Sequence, residues 1–166
     1  MKKYIALFLA VLMVLSMTAC GSQTTPEKYT LKLSHYRADG AQADLDAKAF
    51  AANVAAADDS LEVVIYPAAQ LGDYTTVQEL VSVGDVEMQM ATLSSTVDKF
   101  LGITSAPYIC STWDEAKAIF NRDSEFTKSI SEHLAKQNIK LLSVYPLYFG
   151  GVILNKKPAD PANLNY

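Results

Sequence analysis

Tyr29-Thr30-Leu31-Lys32-Leu33-Ser34-His35 and, a helix's length further on, Leu61-Glu62-Val63-Val64-Ile65-Tyr66 decide the fold. The first stretch alternates strictly, with Tyr29, Leu31, Leu33 and His35 on one face, which is the pattern of a strand. The second is a continuous run rich in β-branched residues, stopped by Pro67, and predicts a buried strand. Between them Asp39-Gly40 ends the first strand. Ala43, Ala47, Phe50, Val54 and Ala57 then recur at steps of four and three, predicting a helix over 42–57 with one apolar face.

Working outward, a second helix is predicted near 74–83, with Val77, Leu80 and Val81 inward, Asp73 as its cap and Gly84 at its end. Val86, Met88 and Met90 alternate with Glu87 and Gln89 as a third strand. Thr112-Trp113-Asp114-Glu115 has capping-box spacing before a helix to about Asn121. Phe126, Ile130 and Leu134 stripe a further helix that Ser124 can cap. Ile139–Tyr145 and Phe149–Leu154 are strand-like. Strand alternating with helix implies an α/β fold, a mainly parallel sheet flanked by helices. In such a sheet ligands sit beyond the carboxyl ends of the strands. That rule nominates His35-Tyr36-Arg37, Gln70 to Tyr74, and Thr92-Leu93-Ser94-Ser95.

The chain has 166 residues, half of them hydrophobic and 19% charged, so a single domain with a real core is expected. With only 7 Gly and 6 Pro, disordered and collagen-like classes are excluded. There are 14 basic side chains, Lys2 and Lys3 among them, against 18 acidic ones. The formal charge is −4, the pI is about 5.1 and there is no basic run, which argues against a nucleic-acid partner.

Met1-Lys2-Lys3 is a positive start, and Tyr4–Leu15 is an apolar run of signal-peptide length, too short to span a bilayer comfortably. Ser16-Met17-Thr18-Ala19-Cys20 follows and resembles a bacterial lipoprotein signal, with Met17 where leucine is usual. That resemblance implies a signal peptide over 1–19, cleavage before Cys20 and acylation of its sulfur. Residues 20–28 then form a small, polar, lipidated tether, and the protein works outside the cytoplasm, anchored to the cell membrane. The alternative is an ordinary leader cut after Ala19 that leaves a free cysteine.

The sequence carries no phosphate-binding glycine loop, no Gly-x-Ser-x-Gly elbow and no Cys/His set with zinc spacing, so no catalytic residue, metal or cofactor is expected. Asp44-x-Asp46 and Asp58-Asp59 lack the glycine and distal glutamate of a calcium loop and read as solvated acids. Cys110, within Pro107-Tyr108-Ile109-Cys110, reads as a small core hydrophobe. A secreted enzyme using Cys110 with His35 or His133 as base is the catalytic alternative, although the segment offers no electropositive setting for a thiolate.

Several residues at the strand ends have binding chemistry. Thr92, Ser94 and Ser95 place hydroxyls after the third strand and before a short helix-like Thr96–Phe100, suited to an anion or simply to helix capping. Arg37 is one of two arginines, and its planar guanidinium can hold a carboxylate through two parallel bonds, unless it is only a solvated surface charge. Tyr36, Tyr74 and Tyr148 supply aromatic walls with a hydroxyl tip, with rim packing as their other reading. Arg122 reads as surface and Tyr145 as packing.

Leu31-Lys-Leu-Ser-His35, Tyr66-Pro67-Ala-Ala-Gln70-Leu71-Gly72-Asp73, Gly84-Asp-Val-Glu-Met88 and Ala106-Pro107-Tyr108, in that order, resemble the extracytoplasmic solute-binding subunits of TRAP transporters, the DctP-like family. Gly151-Val-Ile-Leu-Asn155-Lys-Lys-Pro158 resembles that family's entry into a second lobe. The resemblance implies a two-lobed, periplasmic-binding-protein-like fold that closes on a small organic acid and hands it to ion-gradient-driven permease subunits in the membrane. Tyr36, Tyr74 and Thr92 to Ser95 match its cleft positions. It implies lobe one over 29–148 and a crossing into an incomplete, truncated lobe two over 149–166. The family's main carboxylate-clamping arginine would fall just past residue 166, and the arginine many members carry near Gly150-Gly151 is absent. The chain therefore reads as an N-terminal portion, and one wall of a cleft is expected to bind weakly. An ABC-type or chemosensory binding lipoprotein, and a short protein with a structural role, are the other readings.

Overall fold

The computed structural model describes residues 28–150. The leader, Cys20, the tether before Lys28 and the Gly151–Pro158 segment lie outside the described residues, as does most of the strand expected over Phe149–Leu154. In chain order the elements are β1 (Tyr29–Ser34), α1 (Gln42–Ala57), β2 (Leu61–Tyr66), α2 (Tyr74–Val83), β3 (Met88–Gln89), a 3-10 helix (Lys99–Ser105), α3 (Trp113–Ile119) and α4 (Glu125–Ala135). The described strands form one parallel sheet in the order β2-β1-β3, with Tyr29 opposite Leu61, Leu33 opposite Ile65, and Leu33 also opposite Met88. The parallel α/β reading holds.

β1 runs down the middle, and burial deepens along it from exposed Tyr29 to buried Leu33, Ser34 and His35. The strand is one residue shorter than expected, although the His35 N–H still donates to the Tyr66 carbonyl at 3.1 Å. β2 is half-buried rather than buried. It lies at the edge of the described sheet, so one of its long sides lacks a neighbouring strand. β3 is cut to two residues because its approach is diverted. The Asp85 N–H turns back to the Leu80 carbonyl, and the Glu87 carboxylate accepts the Lys32 N–H at 2.8 Å in place of a ladder carbonyl. The Met90 N–H donates to the Ser34 carbonyl, which closes the ladder at the tip.

α1 has the expected bounds, with Ala43 and Ala47 buried and Phe50 and Val54 half-buried. Ala57, expected inward, is exposed. Asp44, expected to be solvated, is fully buried. α2 begins where expected: Asp73 Oδ1 accepts from the Thr75 and Thr76 N–H groups, each at 2.9 Å. It ends at Gly84, whose φ of 83° is the left-handed geometry that glycine adopts without strain. Val77 is buried, Leu80 and Val81 are half-buried, and Gln78 joins the core.

Leu101, Ile130 and Leu134 form a core cluster with Leu93, Phe126, Ile139 and Leu141 packed around it. α3 has its capping box, with both the Thr112 and Glu115 bonds present, and α4 is capped by Ser124. The helix expected from Thr96 starts instead at Lys99, because the Asp98 side chain accepts the Phe100 N–H and serves as the cap. Ile139–Tyr145, expected as a strand, forms none. Its alternation serves packing onto the α4 cluster, with no ladder beside it among the described residues. Cys110 is half-buried rather than fully in the core.

Candidate functional site

In the order 2-1-3 the strand order reverses between β1 and β3, and in sheets of this kind the ligand crevice lies between the tips of two such strands. The loops leaving them meet there. Tyr36, just past β1, shares a hydrogen bond of 3.1 Å with the hydroxyl of Thr92, just past β3. The Tyr36 ring lies 5.7 Å from that of Tyr74, the first residue of α2, at an interplanar angle of 48°. All three strand-end segments that the sequence nominates therefore meet.

Arg37 is half-buried. Its guanidinium carbon lies 4.7 Å from the centre of the Tyr36 ring and 5.1 Å from that of Tyr148, and Nη2 donates to the Tyr148 hydroxyl. Two ring faces within about 6 Å hold a cation by ~0.5–2 kcal/mol each. Among the described residues no carboxylate pairs with Arg37, so a half-buried, oriented cation presents its remaining N–H groups without a protein anion. Tyr148 comes from the non-helical segment after α4. That segment is tied back to the sheet by Tyr145, whose hydroxyl lies 3.4 Å from Asp46 Oδ2 and 3.5 Å from the Met90 sulfur. Burial first, and then the Asp46 charge, raises the Tyr145 pKa above its ordinary value, so its hydroxyl keeps its proton.

The remaining sequence candidates sit differently. Ser95 is exposed beside Gly102, whose hydrogen points at its Cβ. Ser94 is fully buried. Its hydroxyl is 2.9 Å from that of Thr75, and its N–H donates to Gln78 Oε1 at 2.8 Å. Ser94 thus fastens the post-β3 loop to α2, with its hydroxyl turned inward. Gln78 passes the network on through Nε2 to Gln137 Oε1. The only sequence signal for it was a polar residue next to Val77 on the inward face of α2. Gln89 completes the tip by donating to the Tyr74 carbonyl at 2.6 Å.

The post-β2 loop is zipped to the post-β1 loop. The Ala68 N–H donates to the Arg37 carbonyl and the Ala69 N–H to the His35 carbonyl. Both alanines are left-handed, at φ 51° and 59°, a strain of about 1–3 kcal/mol each that the pairing holds in place. A shallow groove of about 310 Å³ along α4, lined by Ser131, Ala135, Asn138, Ile139 and Lys140, shares no residue with the strand-tip cluster and has no aromatic wall. Among the described residues no group of three or more His, Cys, Asp or Glu side chains could hold a metal ion, and no helix is long and apolar enough to cross a membrane.

This architecture is that of a periplasmic-binding-protein-like lobe, a parallel sheet flanked by helices with polar and aromatic side chains gathered at the strand tips. Residues 33–159 match the model of bacterial extracellular solute-binding protein family 7, DctP, and the chain belongs to that family. Members of the family are solute-binding proteins. No curated protein matches the chain.

Among solved structures, a TRAP periplasmic solute-binding protein of Haemophilus influenzae with bound L-gulonate is 26% identical, with a TM-score of 0.61 over 69% of this chain and 38% of that one. The sugar-acid-binding protein of Advenella mimigardefordensis, in complex with galactonate, is 15% identical, with a TM-score of 0.61 over 67% of this chain and 36% of that one. A TRAP periplasmic solute-binding protein of Citrobacter koseri with bound D-glucuronate is 20% identical, with a TM-score of 0.58 over 69% and 40%. The last two likenesses bear on the fold alone. The chain spans well under half the length of these proteins.

Proposed function

We propose that this chain supplies the first wall of an extracytoplasmic solute-binding cleft for a small organic acid, within a TRAP-type transport system. The observation that carries the reading is Arg37, clamped between Tyr36 and Tyr148 at the crevice between β1 and β3, with no protein carboxylate on it among the described residues. An arginine so oriented has parallel N–H donors ready for a carboxylate. Tyr36, Tyr74 and Thr92 line the crevice and meet the hydroxyls of the acid. Tyr148 closes it from the far side, Ser95 stands at its rim, and Ser94 holds the loop. The family match and the L-gulonate bound by the Haemophilus influenzae protein support this ligand class.

In this reading residues 1–19 are a removed leader and Cys20 carries the lipid. Residues 29–148 are lobe one, and 149–166 lead towards a second lobe. The loaded protein docks on ion-driven permease subunits. Its role is to bind and deliver, as members of its family do.

A titration by nuclear magnetic resonance detects even weak binding to one wall. In the full chain, D-glucuronate is expected to shift the signals of Tyr36, Arg37, Tyr74, Thr92 and Tyr148 and to leave α4 unmoved, whereas neutral D-glucose does neither. Shifts confined to other surfaces, or equal shifts with both sugars, contradict the reading.

A further inference from the structure

Beneath the crevice lies a buried ionic knot that faces no ligand. Asp44, in the first turn of α1, is fully buried, and so is His35, the residue after β1. Asp44 Oδ1 lies 3.2 Å from His35 Nε2. Its other oxygen accepts the Gly40 N–H at 2.9 Å and Lys48 Nζ at 2.6 Å, and the same ammonium reaches Asp39 at 2.7 Å. One carboxylate therefore grips both ends of a single loop: His35 where it leaves β1, and Gly40 where it enters the approach to α1. Tyr36 and Arg37 are carried on the span between those two grips.

A buried charge is costly to bring out of water, and its retention is explained when it specifies one geometry. The partners argue for that role. His35 donates from Nε2, and its Nδ1 is buried with no partner. The bond to Asp44 thus sets the orientation of the buried ring. Gly40 has φ 78°, a left-handed geometry that lets its N–H turn back onto the carboxylate.

We infer that Asp44 is a positioning residue of the acid site, a staple that sets the angle at which the post-β1 loop presents Tyr36 and Arg37. This rests on the proposed function only in identifying what the loop holds.

Arg37 and Arg122 are the only arginines in the chain, so the side-chain Nε–H signals in a nitrogen-15 spectrum are two, and Arg122→Lys assigns them. The Arg37 signal should be displaced by the ring currents of Tyr36 and Tyr148. In the full chain Asp44→Asn loses one of the two grips, since an amide offers a single acceptor oxygen. The Arg37 signal is expected to move to the position of the exposed Arg122, and any response to D-glucuronate at Arg37 should weaken by tenfold or more. Ile130→Val, a destabilising change in the α4 core, should leave the Arg37 signal in place. An unmoved Arg37 signal in folded Asp44→Asn overturns the inference, as does an equal movement in Ile130→Val.

Should Asp44→Asn fail to fold, the His35 pair decides. His35→Gln places an N–H donor where Nε2 stood and should keep the displaced signal, whereas His35→Leu should lose it; equal behaviour of the two overturns the inference. A wild-type chain that ignores D-glucuronate sinks the proposed ligand class and leaves the Arg37 signal as a test of the staple.

Discussion

Arg37 draws its character from its neighbours more than from its charge. A solvated surface arginine is mobile and samples many rotamers, whereas this one lies between two rings and donates to a tyrosine hydroxyl. Lysine keeps the charge but has neither the plane that stacks nor the paired donors. Arg37→Lys is therefore expected to weaken D-glucuronate binding by about tenfold or more, measured by the same titration, with little change in melting temperature. Equal binding by the variant would place the acid elsewhere.

Asp44 gives a pH signature. The Lys48 ammonium, and after it the Gly40 N–H, hold its carboxyl well below the usual carboxylate range. A depressed folded-state pKa stabilises the fold fully above the unfolded value, and this stabilisation is lost as pH falls through the folded value. Wild type should therefore lose stability more steeply than Asp44→Asn as pH drops below about 4, read by urea unfolding at a series of pH values. Parallel curves would show that the knot contributes nothing.

That Tyr36, Arg37, Tyr74 and Thr92 gather at one place was legible in the sequence because all four follow or flank strand ends. The place of Asp44 was not, because a carboxylate four residues before a lysine on a helix looks like any solvated pair; only the fold reveals that His35 closes over it. Ser94 showed the opposite difficulty: its hydroxyl suited an anion or a helix cap, yet it turns inward to the Thr75 hydroxyl while its N–H goes to Gln78.

At the scale of elements, helix ends obeyed local rules and strands depended on their neighbours. Asp73, Thr112 and Ser124 cap as their spacing predicts, since a cap needs only its own first turn. Asp73→Ala should cost ~1 kcal/mol of unfolding free energy and fray α2, which also carries Tyr74. A drop confined to stability would separate the cap from the site, whereas a loss of the Tyr36–Tyr74 contact would show that the cap also sets the ring. β3 and the Ile139–Tyr145 run were misjudged because alternation marks a face to bury without supplying a ladder. Glu87 took the β3 bond, and the α4 cluster took the later apolar residues. Leu101, fully buried in that cluster, should cost about 2–5 kcal/mol when replaced by alanine, read by chemical denaturation. A loss under 1 kcal/mol would mean the cluster is loosely packed.

For the whole molecule, the parallel order β2-β1-β3 puts the reversal of strand order between β1 and β3. Topology therefore chooses the place, the loops bring the residues, and the buried Asp44 and Gln78 networks hold those loops from below. The central claim is that a carboxylate binds at Arg37 in that crevice. A crystal structure of the chain grown with saturating D-glucuronate tests it most directly. The carboxylate is expected within hydrogen-bond distance of the Arg37 guanidinium, with Tyr36 and Tyr148 on either side. A carboxylate bound at a lysine outside the crevice, with Arg37 untouched, would contradict it.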